Sequence, residues 1–233
     1  MPERSGLVVF VAPDLFESHF PQVAQGAARR LRAAGYTLLV TNTESDPATE
    51  AQALDLLMAC RQVEGLIVAS CRPSADDAVL RRLAQQRLPF VLVEQRFPGV
   101  TASFVGWDDV ALGAAATEHL ISRGCRHIAH LRGPYHSSGD DRFRGYTEAL
   151  VRASLKVCPG YVFAAGASSR SGYEATRQLL AVSPRVDGIV CYNDAVAVGA
   201  VKAILEAGLE IPYDIEIIGA GNLAYTDILK VPL

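Results

Sequence analysis

The chain has 233 residues, half of them hydrophobic and 20% charged, with a formal net charge of -3. Such a chain can bury a substantial core, which excludes a disordered polymer. No Lys/Arg run exceeds a pair and no apolar run approaches about 18 residues, so neither a nucleic-acid footprint nor a membrane span is expected.

The start, Met1-Pro2-Glu3-Arg4-Ser5, lacks the basic, apolar and small-residue regions of a signal peptide, which points to a cytoplasmic protein. The apolar run 7–12 reads as the first strand. Val23, Ala27 and Leu31 then repeat at i, i+4, i+8, a helix that Gly35 can close in a left-handed C-cap. A strand over 36–40 follows. Asp46-Pro47 reads as an N-cap with Pro at the first helical position, ahead of Ala51, Leu54 and Met58. Strands at 65–69, 90–93 and 102–107 come next. The last two have no helix between them, which marks a domain boundary: 1–106 and 107–233.

The second half repeats the alternation. Leu112, Ala116 and Leu120 form a helical face before Gly124; a strand over 127–131 precedes the helical spacing of Phe143, Tyr146 and Leu150. Strands over 161–165 and 188–192 follow. A helix through Ala197, Val201 and Leu205 ends at Gly208, and a strand occupies 215–219. Short Val/Ile/Leu-rich runs alternating with amphipathic stretches predict α/β architecture: two similar lobes, each a parallel sheet flanked by helices. The five cysteines (60, 71, 125, 158 and 191) are odd in number and irregularly spaced, which predicts reduced, mostly buried thiols.

In open parallel sheets, ligands bind beyond the carboxyl ends of the strands. The segments there are 14–20, Ser70-Cys71-Arg72, Glu94-Gln95-Arg96, 134–142, 167–170, Asn193-Asp194 and Ala220-Gly221-Asn222. They mix aromatic rings with carboxylate, guanidinium and amide groups, a set suited to a polar, hydroxyl-bearing ligand. The bland alternative for each is a solvated loop residue. Walker A, H-E-x-x-H and G-x-S-x-G motifs are absent. His127 and His130, three apart in a strand, point to opposite faces and suggest no metal pair. Gly219-Ala220-Gly221-Asn222-Leu223-Ala224 matches the opening of a dinucleotide fingerprint, without the second strand and acidic residue that a real one needs. No catalysis, metal or cofactor is predicted.

A larger ordered pattern runs along the chain: Arg4-Ser5-Gly6 through Pro13-Asp14-Leu15, Gly35-Tyr36-Thr37-Leu38-Leu39-Val40 and Val63-Glu64-Gly65-Leu66-Ile67-Val68, then Leu88-Pro89-Phe90-Val91-Leu92-Val93-Glu94, Thr117-Glu118-His119-Leu120-Ile121, Cys191-Tyr192-Asn193-Asp194 with 195–203, and 211–219. In order and spacing this resembles the LacI/GalR family of transcriptional regulators. The resemblance implies a periplasmic-binding-protein type I fold with a small-molecule effector between its lobes, no enzymatic activity, and a homodimer. Operator DNA would be bound only through an N-terminal helix-turn-helix lying before Met1, and a closing segment would follow Leu233.

Residue by residue, the resemblance implies ligand contacts from His19 and Phe20 in the first loop, and from Glu94 where an Asp is usual. It implies others from His136, Ser138 and Arg142 before Gly145-Tyr146, and from Asn193. Ser70 and Asn222 join the candidates from the strand-end segments. Gly219-Ala220-Gly221-Asn222 stands where the family has Gly-Phe-Asp-Asp, so a carboxylate that commonly holds ligand hydroxyls is absent. Arg142 is expected in a loop, where its fork of donors would grip the effector. Its replacement by Ala would then leave folding nearly intact; the bland role is a surface pair with Asp140 or Asp141. The rival readings are a periplasmic-type solute-binding protein and, from another class, a nucleotide-binding α/β enzyme.

Overall fold

Among the described residues, nine strands form where the sequence places its nine apolar runs, and alternation of their side chains decides which helices cover them. A computed structural model describes residues 5–16, 19–181, 186–231 and 233. The chain divides into two compact units, Met1–Trp107 and Asp108–Leu233.

The first unit holds β1 (Leu7–Ala12), α1 (Phe20–Ala33), β2 (Thr37–Asn42), α2 (Pro47–Ala59), β3 (Val63–Val68), α3 (Ala78–Ala84), β4 (Phe90–Val93) and β5 (Ser103–Val105). Its strands form one parallel sheet in the order β2-β1-β3-β4-β5. Val9 and Val11 of β1 pack with Leu66, Val68 and Leu92 against Leu54 of α2 and Val79, Leu80 and Leu83 of α3. Phe10 and Ala12 point the other way and meet Phe20 and Val23 of α1. Both faces of the sheet are thus buried, as parallel strands require.

The second unit holds α4 (Asp109–Arg123), β6 (Ile128–Arg132), α5 (Ser137–Arg152), β7 (Val162–Ala164), α6 (Ser169–Leu179), β8 (Gly188–Cys191), α7 (Asp194–Glu206) and β9 (Glu216–Ile218). The sheet is again parallel, in the order β7-β6-β8-β9. Ala129, Leu131, Ile189 and Cys191 face α6 and α7, while Ile128 and Val190 face α4 and α5. The helices of each covering layer touch at backbone level. A Cβ on Gly145 of α5 would lie 2.0 Å from the Val110 carbonyl oxygen of α4, and one on Gly199 of α7 would lie 1.9 Å from that of Ser169 in α6. Gly113 and Gly172 are the reciprocal gaps, facing Arg142 and Val196.

Local chemistry ends these elements as the sequence suggests. Asp46 caps α2 by accepting from the Ala48 and Thr49 amides, with Pro47 following it. Gly35, Gly124 and Gly208 all take positive φ after α1, α4 and α7. Three expectations need correction. First, the alternation implies a helix between 65–69 and 90–93 and another between 161–165 and 188–192, but no periodic residues locate α3 and α6 within those gaps. Seven residues are too few for α3 to show a period. The buried face of α6 is Gly172, Ala175, Thr176 and Leu179, where only the last is a large apolar residue. Second, 134–142 is not all loop, because α5 starts at Ser137 with His136 as its N-cap. Third, only Cys125 and Cys191 are buried; the other three thiols are half-buried, and all five are free.

Candidate functional site

In the first unit, His19 and Glu94 meet at the carboxyl ends of β1 and β4. His19 is the N-cap of α1, and its Nε2 contacts Glu94 Oε1 as an ion pair when the ring is protonated. Glu94 adopts φ +66, in the left-handed region that costs a residue with a side chain roughly 1–2 kcal/mol. The Glu94 amide donates to the Val105 carbonyl at 2.8 Å and Gln95 N donates to Val93 O at 2.8 Å, which holds the kink in place. Phe20 lies beside His19 with ring centroids 4.6 Å apart, but it is only 9% exposed and packs edge-on to Phe10. Its ring therefore serves the core first.

Ser70 turns away from this pair into a buried polar network. Its hydroxyl donates to Glu50 Oε1 at 2.7 Å, and the Cys71 amide donates to Glu50 Oε2 at 2.8 Å. Arg72 lies 3.2 Å from Glu50, pairs with Asp76 at 2.5 Å and donates to the Pro47 carbonyl. Gln95 closes the network by donating to the Arg72 carbonyl. Burial, and then the Glu50 charge, push the Cys71 thiol up to about 12, so it is no nucleophile. Glu50, fully buried, is the centre of this network and was not singled out from the sequence. An acidic residue in the first turn of a helix reads as ordinary there.

In the second unit, the groups gather where β6 and β8 end. His136 Nδ1 accepts from the Gly139 amide at 3.3 Å and lies 3.1 Å from Ser138 Oγ. Ser138 Oγ is also 3.1 Å from the hydroxyl of Tyr192, which directly follows β8. Arg142 is not in a loop. It sits in the second turn of α5, 7% exposed, donating from Nε to Asp109 Oδ1 at 2.7 Å and from Nη1 to the Tyr192 carbonyl at 2.5 Å. Its guanidinium carbon also lies 4.6 Å over the Tyr192 ring. The expected surface partners are engaged elsewhere: Asp140 pairs with Arg132, and Asp141 with Arg144 at 3.1 Å. Tyr192 and Asp109 were missed as site residues, although Tyr192 stands in the quoted Cys191-Tyr192-Asn193-Asp194 string.

Asn193 caps α7, accepting from the Val196 amide at 2.8 Å and donating to the Ala167 carbonyl at 3.0 Å. Asp194 accepts from the Leu223 amide at 2.9 Å. A Cβ on Gly219 would come within 2.5 Å of the Asp194 carboxylate. The glycines of the dinucleotide-like string thus make room for a carboxylate of the same chain, which explains them without a phosphate. Asn222 is exposed on that turn, at φ +50. Of the nine candidates, His19, Phe20 and Glu94 come together in one unit and His136, Ser138 and Arg142 in the other. Ser70 instead joins the Glu50 network, Asn193 caps α7 directly after Tyr192, and Asn222 is exposed on the turn beside Asp194.

Beneath α5, His130 stacks on Phe143 and Tyr146, with Nδ1 3.1 Å from the Val190 carbonyl. Burial, and then the charges of Arg132 and Arg142, push its pKa down to about 3, so the imidazole is neutral. His127 precedes β6, is exposed and pairs with Asp187 at 3.6 Å.

Two units with parallel sheets and strand-end polar clusters suit more than one family, and comparison with known proteins decides between them. The family model described as "Periplasmic binding proteins and sugar binding domain of LacI family" matches residues 5–231. The chain belongs to this family. It is 28% identical over 233 residues to the HTH-type transcriptional regulator DegA of Bacillus subtilis, covering 99% of this chain and 68% of that protein. It is 29% identical to the ribose operon repressor of Halalkalibacterium halodurans, covering 97% of this chain and 66% of the repressor. The chain thus spans about two thirds of the length of these relatives. A regulatory protein of LacI family from Chloroflexus aggregans superposes with a TM-score of 0.83 at 29% identity, over 98% of this chain and 83% of that one. These relatives are regulators, and within its family the chain stands with the LacI effector-binding domains. Among the described residues, no helix is long and apolar enough to cross a membrane.

Proposed function

We propose that this chain is the effector sensor of a cytoplasmic transcriptional regulator and that it binds a small, hydroxyl-rich, sugar-like molecule without changing it. The observation that carries the reading is the gathering of hydrogen-bonding side chains at strand carboxyl ends: His19 and Glu94 in one unit, His136, Ser138 and Tyr192 in the other. Glu94 supports it further, because a strained backbone at an acidic residue is the kind of feature that binding sites keep. Within the first unit, Glu94 would accept from ligand hydroxyls and His19 would orient it; within the second, the His136 ring and Ser138 are the groups that would offer hydrogen bonds. Arg142 would act on the ligand mainly by fixing Tyr192. Operator DNA would be read by a helix-turn-helix outside this chain, and regulators built this way would work as homodimers.

The test is a thermal-melt series with monosaccharides, disaccharides, sugar acids and nucleosides. A ligand bound only by the native state stabilises by about 2.7 kcal/mol at 100 times its Kd. The reading expects at least one hydroxyl-rich compound to raise Tm in a concentration-dependent way. A flat response across the whole panel contradicts it.

A further inference from the structure

Tyr192 directly follows β8 and stands among the strand-end polar groups of the second unit. Its amide donates to the Leu131 carbonyl at 3.0 Å, which extends the β6–β8 ladder by one residue and aims the side chain across the end of β6. There the ring lies against the backbone of Gly133: a Cβ on that residue would come 2.3 Å from Tyr192 Cδ2. The hydroxyl continues to Ser138 at 3.1 Å, at the start of α5. Arg142 lies over the ring at 4.6 Å and donates to the residue's backbone carbonyl at 2.5 Å. A single phenol side chain, 7% exposed, therefore bridges β8, the turn after β6 and α5. Ser138 and Arg142, two of the groups expected to hold the effector, are bound to it.

We infer that Tyr192 is a specificity-determining residue that limits the size of the effector, filling with its own ring the volume that a second sugar ring would need. This rests on the effector-sensing reading above. The residue is held from three directions, so it acts as a fixed wall of the site. A ligand meets the wall's outer edge, where His136 and the Ser138 hydroxyl lie. The effector class that fits is a monosaccharide or a compound of similar size.

Calorimetric titration of the wild-type chain and Tyr192→Ala with D-ribose and sucrose, together with melts in phenol, tests the inference. Opening the wall should shift the sucrose-to-ribose affinity ratio by at least about tenfold in favour of sucrose, the scale at which pocket volume discriminates. Phenol should raise the Tm of Tyr192→Ala and not that of the wild type, because an emptied ring-shaped cavity accepts a ring. If phenol has no effect on Tyr192→Ala, or if sugars bind with an unchanged ratio, the inference is overturned. If phenol acts as expected and neither sugar binds either protein, the ring-sized space stands and the sugar reading alone fails. Tyr192→Leu leaves a smaller gap and gives the same comparison with a smaller shift, should the Ala variant not fold.

Discussion

Arg142 joins two helices through charge. Its guanidinium meets Asp109, which is 6% exposed, so neither group has water to fall back on. Breaking one half of a buried pair typically costs 3–5 kcal/mol, because the survivor stays desolvated. Arg142→Ala should therefore lower stability by about 3 kcal/mol or more, contrary to the sequence expectation that folding would be nearly untouched. Arg142→Lys should recover little, since an ammonium cannot serve Asp109 and the Tyr192 carbonyl with a fixed fork. Urea unfolding of both variants checks this; a loss below about 1 kcal/mol in Arg142→Ala would show the pair to be dispensable. The resemblance drew attention to Arg142, but nothing local reveals a partner 33 residues earlier in the chain. Glu50 and Tyr192 escaped for the same reason: their roles exist only once distant segments have met.

His130 makes a second residue-scale prediction. Its folded pKa of about 3 lies below the ordinary 6.5, so the unfolded chain takes up the proton first. The stability this group contributes is fully present above pH 6.5 and is lost as pH falls from there towards 3. The loss has a limiting slope of about 1.4 kcal/mol per pH unit. His130→Phe keeps the stacking on Phe143 and Tyr146 and removes the titration. Unfolding free energies at pH 7.5 and 5.0 should differ less in that variant than in the wild type. Equal differences in the two proteins would mean that His130 is not the group concerned.

At the scale of elements, helix pairs set the tightest constraints. At Gly145 and Gly199 the neighbour is a carbonyl oxygen of the facing helix, which cannot rotate away as a side chain can. Alanine has the better helix propensity by up to about 1 kcal/mol, so propensity alone predicts stabilisation. Packing predicts the reverse: the helices must separate, at the few-kcal/mol cost of overpacking. Gly145→Ala and Gly199→Ala should each lower Tm, and a raised Tm in either would refute the backbone contact. The elements themselves were largely legible. Nine strands and five helices follow from apolar periodicity, with Asp46-Pro47 and the glycines after helices marking ends. The alternation implies α3 and α6, but their residues were not located, α6 because its covered face is mostly small and polar, α3 because it is short. The start of α5 was hidden because His136 is an unusual cap.

On the scale of the whole molecule, the chain carries a net charge of -3 and no Lys/Arg run longer than a pair. Specific DNA binding draws on phosphate neutralisation by Lys and Arg together with an element that enters a groove. The chain alone should show no specific, salt-sensitive shift of operator DNA in a gel assay. A shift that competes with specific and not with random duplex would overturn this. Two parallel sheets were readable from the alternation of strands and helices. Strand order was not readable, since pairing is settled by contacts between segments far apart in sequence.

The central claim is that the strand-end groups bind a small effector, and it is tested most directly by titrating the most stabilising compound of the melt panel into wild-type and Glu94→Ala chains by calorimetry. The account predicts one molecule bound per wild-type chain and an affinity at least about tenfold weaker in Glu94→Ala, as expected for loss of a charged hydrogen bond. Equal affinities for the two proteins, with both folded, would contradict it.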